Sequence, residues 1–112
     1  MLLAPRNESI RAAVDFIHEN AHLPVGPVEI AGSAHLSVRG LQVAFQRLLG
    51  TTPLAYLRNV RLDRVRTDLR LGDPARATVA ETARLWGFGH LGRFSAAYAA
   101  RFDEYPSETL AH

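Results

Sequence analysis

The stretch that decides the fold runs from Thr78 to Gly92 and reads TVAETARLWGFGHLG. Its last six residues have the spacing G-x-G-x-x-G, which cradles a pyrophosphate when a buried strand precedes the first glycine and a helix begins at the last. The apolar positions before Gly87, which are 79, 83 and 86, have helical period. No later β-branched run could supply a second strand. The motif therefore predicts a turn between two helices, with its glycines at positive φ, and not a nucleotide site.

The rest of the chain carries helix signals in series and no strand signal. Apolar residues recur at helical spacing, and prolines and glycines stand where helices begin and end. One face of the third helix is predicted to be lined by Leu41, Ala44, Phe45 and Leu48. We predict an all-α fold with about seven helices: 8–22 after the candidate caps Asn7 and Ser9, 27–34, a third from the N-cap Ser37 to Gly50, 53–71, 78–86, 90–102, and a final turn from Pro106.

Length and composition limit the class of protein. A chain of 112 residues is expected to form one domain, residues 1–112. It contains no apolar run of the roughly 18 residues that a membrane span needs, and its start, MLLAPRNES, meets a proline and charges too soon for a signal peptide. It has no cysteine, which excludes disulfides and thiolate metal sites and suits a reducing cytoplasm.

Positive charge is concentrated in the middle of the chain. All thirteen basic residues are arginine, whose planar fork suits phosphate and guanine edges. Residues 37–71 have a local net charge of +5, because only Asp63 and Asp68 oppose seven arginines, at positions 39, 47, 58, 61, 64, 66 and 70. Arg61 is set apart, since it lies on the predicted apolar face of its helix with Leu54, Leu57 and Val65. That position favours an internal ion pair over contact with DNA.

A second motif, His18-Glu19-Asn20-Ala21-His22, has the spacing H-E-x-x-H of zinc proteases. On a helix the two histidines would share a face and could hold one metal ion. However, Arg11 lies on the same side and Pro24 ends the helix at once, so no scaffold remains to hold a peptide. We expect neither catalysis nor a functional metal site here.

The chain also shows an internal repeat. Residues of similar type recur at a spacing of 53, in the pairs Leu41 and Phe94, Phe45 and Tyr98, and Pro53 and Pro106. Ala31 and Ala83 form a further pair at a spacing of 52. Each copy is a short helix with a small residue, a tight turn, and a longer helix whose large apolar residues face inward. This is the helix-turn-helix plan, in which the second helix enters the DNA major groove.

The repeat resembles the DNA-binding half of the AraC/XylS transcription regulators. The first copy matches through Ile30-Ala31, Ser37, Leu41, Phe45, Gly50-Thr51-Thr52-Pro53, Tyr56-Leu57 and Arg61-Leu62. The second matches through Ala83, Gly87-Phe88, Phe94, Tyr98, Phe102 and Pro106-Ser107-Glu108. Asp103, Thr82 and Gly92 depart from the family pattern, which usually has glycine, an aliphatic residue and a polar residue there. The last two departures predict a less tightly packed second unit with less reading power.

The resemblance implies a sequence-specific regulator that binds double-stranded promoter DNA in the bacterial cytoplasm, at the nucleoid. It implies helix-turn-helix units at about 27–50 and 78–102, joined by a linker helix over about 53–71. At about 1.5 Å per residue that helix is roughly 28 Å long, which is compatible with two adjacent major grooves. RNA polymerase and an effector-binding or dimerisation domain absent from this chain are the other implied partners. No enzymatic activity, cofactor, metal or membrane is implied.

Carried over by position, the resemblance implies two sets of DNA-contacting residues. The base-reading residues are Arg39, Gln42 and Val43 in the first recognition helix and Leu91, Ser95 and Ala96 in the second. Backbone or secondary contacts fall to Ser37, Gln46 and Arg47 in the first unit and His90, Gly92 and Arg93 in the second. The aromatic residues Phe45, Trp86, Phe88, Phe94 and Tyr98 are predicted to pack in the core. The second recognition helix is poor in hydrogen-bonding groups. The alternative is therefore a helical interaction or dimerisation module that no longer reads DNA.

Overall fold

The structure, a computed structural model, describes residues 5–111, with side chains from Asn7 onward. Within that range all regular structure is helical, which confirms the predicted all-α fold. The seven described helices are α1 (Pro5–Asn20), α2 (Pro27–Ser33), α3 (Val38–Leu49), α4 (Pro53–Leu71), α5 (Val79–Leu85), α6 (Leu91–Phe102) and α7 (Pro106–Ala111).

The chain forms two compact units that divide within α4, between Val60 and Arg61. Unit 1 contains α1, α2, α3 and the start of α4, and its buried apolar residues include Ile17, Ile30, Ala31, Leu41 and Phe45. Unit 2 contains the rest of α4 with α5, α6 and α7, around a cluster of Leu62, Val65, Leu69, Ala83, Phe94, Tyr98 and Leu110. Trp86, Phe88 and Phe102 pack against that cluster and are partly buried. The predicted inward positions of the large aromatic residues are confirmed.

The two units turn between their helices in the same way. After α2, His35 has φ of 55°, and the N–H of Leu36 donates to the carbonyl of Ala31 at 3.0 Å. After α5, Gly87 has φ of 87°, and the N–H of Phe88 donates to the carbonyl of Ala83 at 3.0 Å. Both turns are Schellman-type helix ends with one left-handed residue. The repeat read from the sequence is therefore a repeat of backbone structure.

Some local expectations are wrong. In the GFGHLG stretch only Gly87 has a positive φ, since one left-handed residue is sufficient to end α5. Because α1 begins at Pro5, Asn7 and Ser9 lie inside it and do not cap it. α1 also ends at Asn20 and not at position 22.

Two leucines predicted on buried faces are exposed. The side chain of Leu48 is 42% exposed, and that of Leu54 is 50% exposed. Leu48 lies in the last turn of α3, and Leu54 lies in the first turn of α4. Helical spacing predicts which side a residue faces, but not how far along a helix the core extends.

None of the helices between residues 5 and 111 is long and apolar enough to span a membrane.

Candidate nucleic-acid interface

The outer face of α3 carries the residues predicted to read bases in unit 1. Arg39, Gln42 and Val43 are all exposed, while Leu41 and Phe45 on the other side of the helix are buried. Gln46 is exposed one turn beyond Gln42, and Arg47 is exposed beside it. Because residues three and four apart are neighbours on a helix, positions 39, 42, 43 and 46 form one continuous stripe. The stripe combines a guanidinium, two amides and an apolar side chain.

Ser37 holds the start of this helix. Its backbone is extended, and its Oγ accepts a hydrogen bond from the N–H of Gly40 at 3.0 Å. A Cβ at position 40 would lie 3.1 Å from that oxygen, so the glycine lets the cap approach closely. The prediction that Ser37 caps α3 is confirmed. Gly50 ends the same helix with φ of 68°, as the sequence indicates.

The corresponding face of α6 is smaller and less polar. Leu91, Gly92, Arg93 and Ala96 are exposed, and Ser95 is half-buried. Apart from Arg93, these exposed side chains have neither a donor nor an acceptor. Unit 2 therefore presents mainly shape and apolar surface where unit 1 presents hydrogen-bonding groups.

His90 caps α6 in the position that Ser37 occupies in unit 1, 53 residues earlier. The Nδ1 atom of His90 accepts a hydrogen bond from the N–H of Arg93 at 3.1 Å. Since Nδ1 accepts, Nε2 carries the proton in this arrangement and remains a donor. Sequence reasoning placed His90 at the helix start but missed its capping role, which the 53-residue spacing from Ser37 could have indicated.

The central arginines are divided between the solvent and unit 2. Arg39, Arg47, Arg58 and Arg70 are exposed, whereas Arg61, Arg64 and Arg66 are half-buried. The guanidinium carbon of Arg64 lies 5.6 Å from the centre of the Trp86 ring, and that of Arg66 lies 4.6 Å from the centre of the Phe102 ring. These distances are typical of cation–π contacts. The predicted positive surface is therefore smaller than the sequence indicates.

Arg61 lies beside the turn after α5. A Cβ at Gly87 would lie 3.7 Å from its guanidinium carbon. Partial burial lowers the pKa of the Arg61 guanidinium, because it disfavours the charged form. An internal ion pair of Arg61 stays a prediction.

Two polar contacts of α4 were not predicted. Asp63 forms a bidentate ion pair with Arg101, through Nε at 2.8 Å and Nη2 at 3.0 Å, and this hydrogen-bonded pair raises the pKa of Arg101. Asp68 accepts a hydrogen bond from the indole Nε1 of Trp86 at 2.7 Å. Asp63 and Arg101 are 38 residues apart in the chain, and Asp68 and Trp86 are 18 apart. No local sequence pattern therefore predicts either contact.

The H-E-x-x-H segment is not a continuous helical motif. α1 ends at Asn20, so His22 follows the helix and does not share a face of it with His18. The Nε2 atom of His18 lies 2.9 Å from the hydroxyl of Tyr56. Among the described residues, no group of three or more His, Asp or Glu side chains could hold a metal ion.

Comparisons with known proteins agree with this architecture. A family model described as a helix-turn-helix domain matches residues 30–112. A crystal structure of a probable AraC family transcriptional regulator from Rhodopseudomonas palustris CGA009 superposes with a TM-score of 0.86, at 34% identity, covering 93% of this chain and 95% of that one.

Two curated relatives are similar over nearly the whole chain. A probable thc operon regulatory protein of Rhodococcus erythropolis is 44% identical over 101 residues, which are 90% of this chain and 30% of that protein. The XylDLEGF operon transcriptional activator 2 of Pseudomonas putida is 37% identical over 105 residues, covering 94% of this chain and 67% of that protein. The chain thus spans less than a third of the first relative and two thirds of the second. The repeated helix-turn-helix units and these matches show that the chain belongs to the AraC/XylS family of transcription regulators and corresponds to its DNA-binding region.

Proposed function

We propose that this chain is a sequence-specific, double-stranded DNA-binding module of a transcription regulator, and that α3 and α6 are its recognition helices. The observation that carries the proposal is the shared backbone of the two units. α2 and α5 are each followed by a left-handed residue, and α3 and α6 each start at a side-chain cap. The outer faces of α3 and α6 are then left exposed. That arrangement is how a helix-turn-helix presents its recognition helix to a major groove.

In this proposal the side chains of α3 make the base contacts of unit 1. Arg39 can bind guanine through O6 and N7, Gln42 can bind adenine through N6 and N7, and Val43 can contact a thymine methyl. Gln46 and Arg47 extend this surface toward the end of the helix, and the Ser37 cap leaves its helix start open to a phosphate.

Unit 2 contacts DNA through different chemistry in this proposal. Leu91 and Ala96 face thymine methyls, and Ser95 adds one hydroxyl near the base edges. Arg93 and the Nε2–H of His90 donate to phosphate oxygens, and Gly92 admits a close approach of the DNA backbone. The second half-site is therefore read mainly by shape and methyl groups.

The wider biology is part of the same proposal. The named relatives are operon regulators, and we infer that this chain likewise acts at promoter DNA, with RNA polymerase as a partner. An effector-binding or dimerisation domain is the expected companion, because the chain matches only part of the Rhodococcus relative. We further propose that the chain is not an enzyme and that it works in the bacterial cytoplasm, at the nucleoid.

The test is duplex binding as a function of salt. Duplexes are first selected from a random pool, and the dissociation constant of the best duplex is then measured from low to moderate ionic strength. Counterion release predicts that the logarithm of the dissociation constant rises linearly with the logarithm of the salt concentration, with a slope of about 0.9 for each phosphate neutralised. The variant Arg76→Ala, an exposed arginine in the turn before α5, is the control and should keep the wild-type slope. A flat response, or no selected duplex together with self-association, would instead favour the interaction module.

A further inference from the structure

Side chains of α4 hold the turn between α5 and α6. Arg61, Arg64 and Asp68 lie at i, i+3 and i+7, so they follow one side of α4; we call them the linker row. Asp68 accepts the hydrogen bond from the indole of Trp86, and Arg64 lies over the same ring. Arg61 lies beside Gly87. The linker row thus contacts Trp86 and lies beside Gly87, the next residue of the turn.

Those two residues begin the turn that leads into α6. Trp86 is the C-cap of α5, and Gly87 is the left-handed residue that reverses the chain. Phe88 follows, and its ring lies 4.9 Å from that of Phe94, the first buried residue of α6. This ring contact links the turn to the first half of α6, where Leu91 and Arg93 are exposed.

Unit 1 is built differently at this point. The residue that corresponds to Trp86 is Ala34, which is buried and carries no polar side-chain atom. Unit 1 also carries Arg39 and Gln42, whose long side chains can adjust to a base edge. Unit 2 reads through short apolar groups, which lose their contact when the helix moves by a fraction of an ångström.

We propose that Asp68 is a positioning residue for DNA recognition: through the Trp86 indole it sets the placement of α6 and thereby the discrimination at the second half-site. The inference rests on the proposed DNA-binding function. Asp68 is exposed, and so this hydrogen bond adds little to the stability of the core. In this proposal its effect is on the position of α6.

The experiment compares the selected duplex with two variants of it, each scrambled in one half-site. Asp68→Ala should lower discrimination against the duplex scrambled in the second half-site by about three- to tenfold, and leave discrimination at the first unchanged. Asp68→Asn keeps an acceptor oxygen and should restore the wild-type ratio. Trp86→Phe keeps the ring under Arg64 but removes the donor, and should behave like Asp68→Ala.

Asp63→Ala is the matched control, because it removes a carboxylate from the same helix and breaks the ion pair with Arg101, at the far end of α6. It should leave both discrimination ratios within twofold of wild type. Trp86 is the only tryptophan, so its indole N–H resonance reports the hydrogen bond directly and should move in Asp68→Ala but not in Asp63→Ala.

An equal loss at both half-sites, an unchanged second ratio, or the same result for Asp63→Ala would overturn the inference while DNA binding stood. A wild-type chain that selects no duplex would overturn the proposed function, and the inference with it.

Discussion

At the start of α3 and of α6, two different side chains accept the same kind of hydrogen bond. The hydroxyl of Ser37 is small, whereas the imidazole of His90 needs room beside the first turn of its helix. A Cβ at Gly92 would lie 3.2 Å from Cε1 of His90, which is closer than most side-chain contacts. The family resemblance predicts a polar residue at position 92, and the imidazole cap supplies a physical reason for a glycine there.

The cap and the glycine should be energetically coupled. Gly92→Ala replaces a poor helix former by a good one, which by itself is worth up to about 1 kcal/mol. With His90 in place, part of that gain is lost because the ring must shift; with His90→Ser, whose hydroxyl still caps the helix, the gain should be complete. Urea unfolding of the four proteins in this double-mutant cycle should give a coupling of about 0.5 kcal/mol. Additivity of the two changes would contradict this explanation of Gly92.

The burial of Tyr98 predicts how the stability of the protein changes at alkaline pH. Its side chain is fully buried, and its hydroxyl donates to Oγ1 of Thr109 at 2.7 Å, which in turn donates to Glu104. Burial raises the pKa of Tyr98 above its ordinary value of 10.0, so the folded protein keeps a proton that the unfolded chain has released. The free energy of unfolding should therefore fall as the pH rises above about 10.

Urea unfolding at several pH values from about 8 to about 11 measures this slope. Tyr98→Phe removes the titrating group, so its stability should fall less steeply over the same range, whatever its stability near neutral pH. Equal slopes for the two proteins would show that Tyr98 does not cause the alkaline loss.

At the scale of the element, α3 and α6 end alike but with different residues. Gly50 ends α3 with φ of 68°, and Asp103 ends α6 with φ of 56°. Their N–H groups donate to the carbonyls of Gln46 and Ala99. A side chain in this left-handed conformation costs free energy that glycine avoids. The second unit therefore carries strain at a position where the first does not.

Exchanging the residue types should move stability in opposite directions. Asp103→Gly should stabilise the protein by about 0.5–1 kcal/mol. Gly50→Ala should destabilise it by about 1 kcal/mol, and the cause is conformational, because a Cβ there would meet no atom within 4 Å. Thermal and urea unfolding measure both changes. A loss of stability in Asp103→Gly would show that the Asp103 side chain makes a compensating interaction.

Most elements could be predicted from the sequence because their ends carry strong local signals. Ser37 and Gly50 bound α3, and Pro53 and Gly72 bound α4, as expected from capping and proline chemistry. The predicted start of α1 is wrong because Asn7 and Ser9, although they are common capping residues, lie inside the helix. Two features could not be predicted from the sequence. One is how deeply a side chain is buried, as at Leu48 and Leu54, and the other is contact between residues far apart in the chain, as between Asp68 and Trp86. Both depend on packing, which local spacing does not encode.

At the scale of the whole molecule, charge and reading surface are distributed unequally between the units. α3 carries Arg39 and Arg47 on its exposed face, whereas Arg64 and Arg66, which are half-buried in α4, contact aromatic rings of unit 2. The family resemblance implies the candidate base-reading residues, and the exposure of all of them except Ser95, which is half-buried, is compatible with that role. Which of them contact bases is a property of the complex with DNA and stays a prediction.

The unequal distribution of charge and hydrogen-bonding side chains between the two units predicts that the first half-site carries most of the sequence information. In the proposed complex a bidentate contact from Arg39 would discriminate among bases by about 1–3 kcal/mol, whereas Leu91 and Ala96 would sense mainly a methyl group. Arg39→Ala should weaken binding by about that amount and relax the preference at one or two base pairs. Arg93→Ala should instead weaken binding to all duplexes alike and reduce the salt slope by about one.

Selection from a random pool with each variant, followed by salt titration, measures both effects. If the information lay under α6, or if Arg39→Ala kept full specificity, the assignment of base-reading residues would be wrong even though the family stands. Because Arg39 and Arg93 are both exposed arginines in the first turn of a 12-residue helix, each serves as the control for the other.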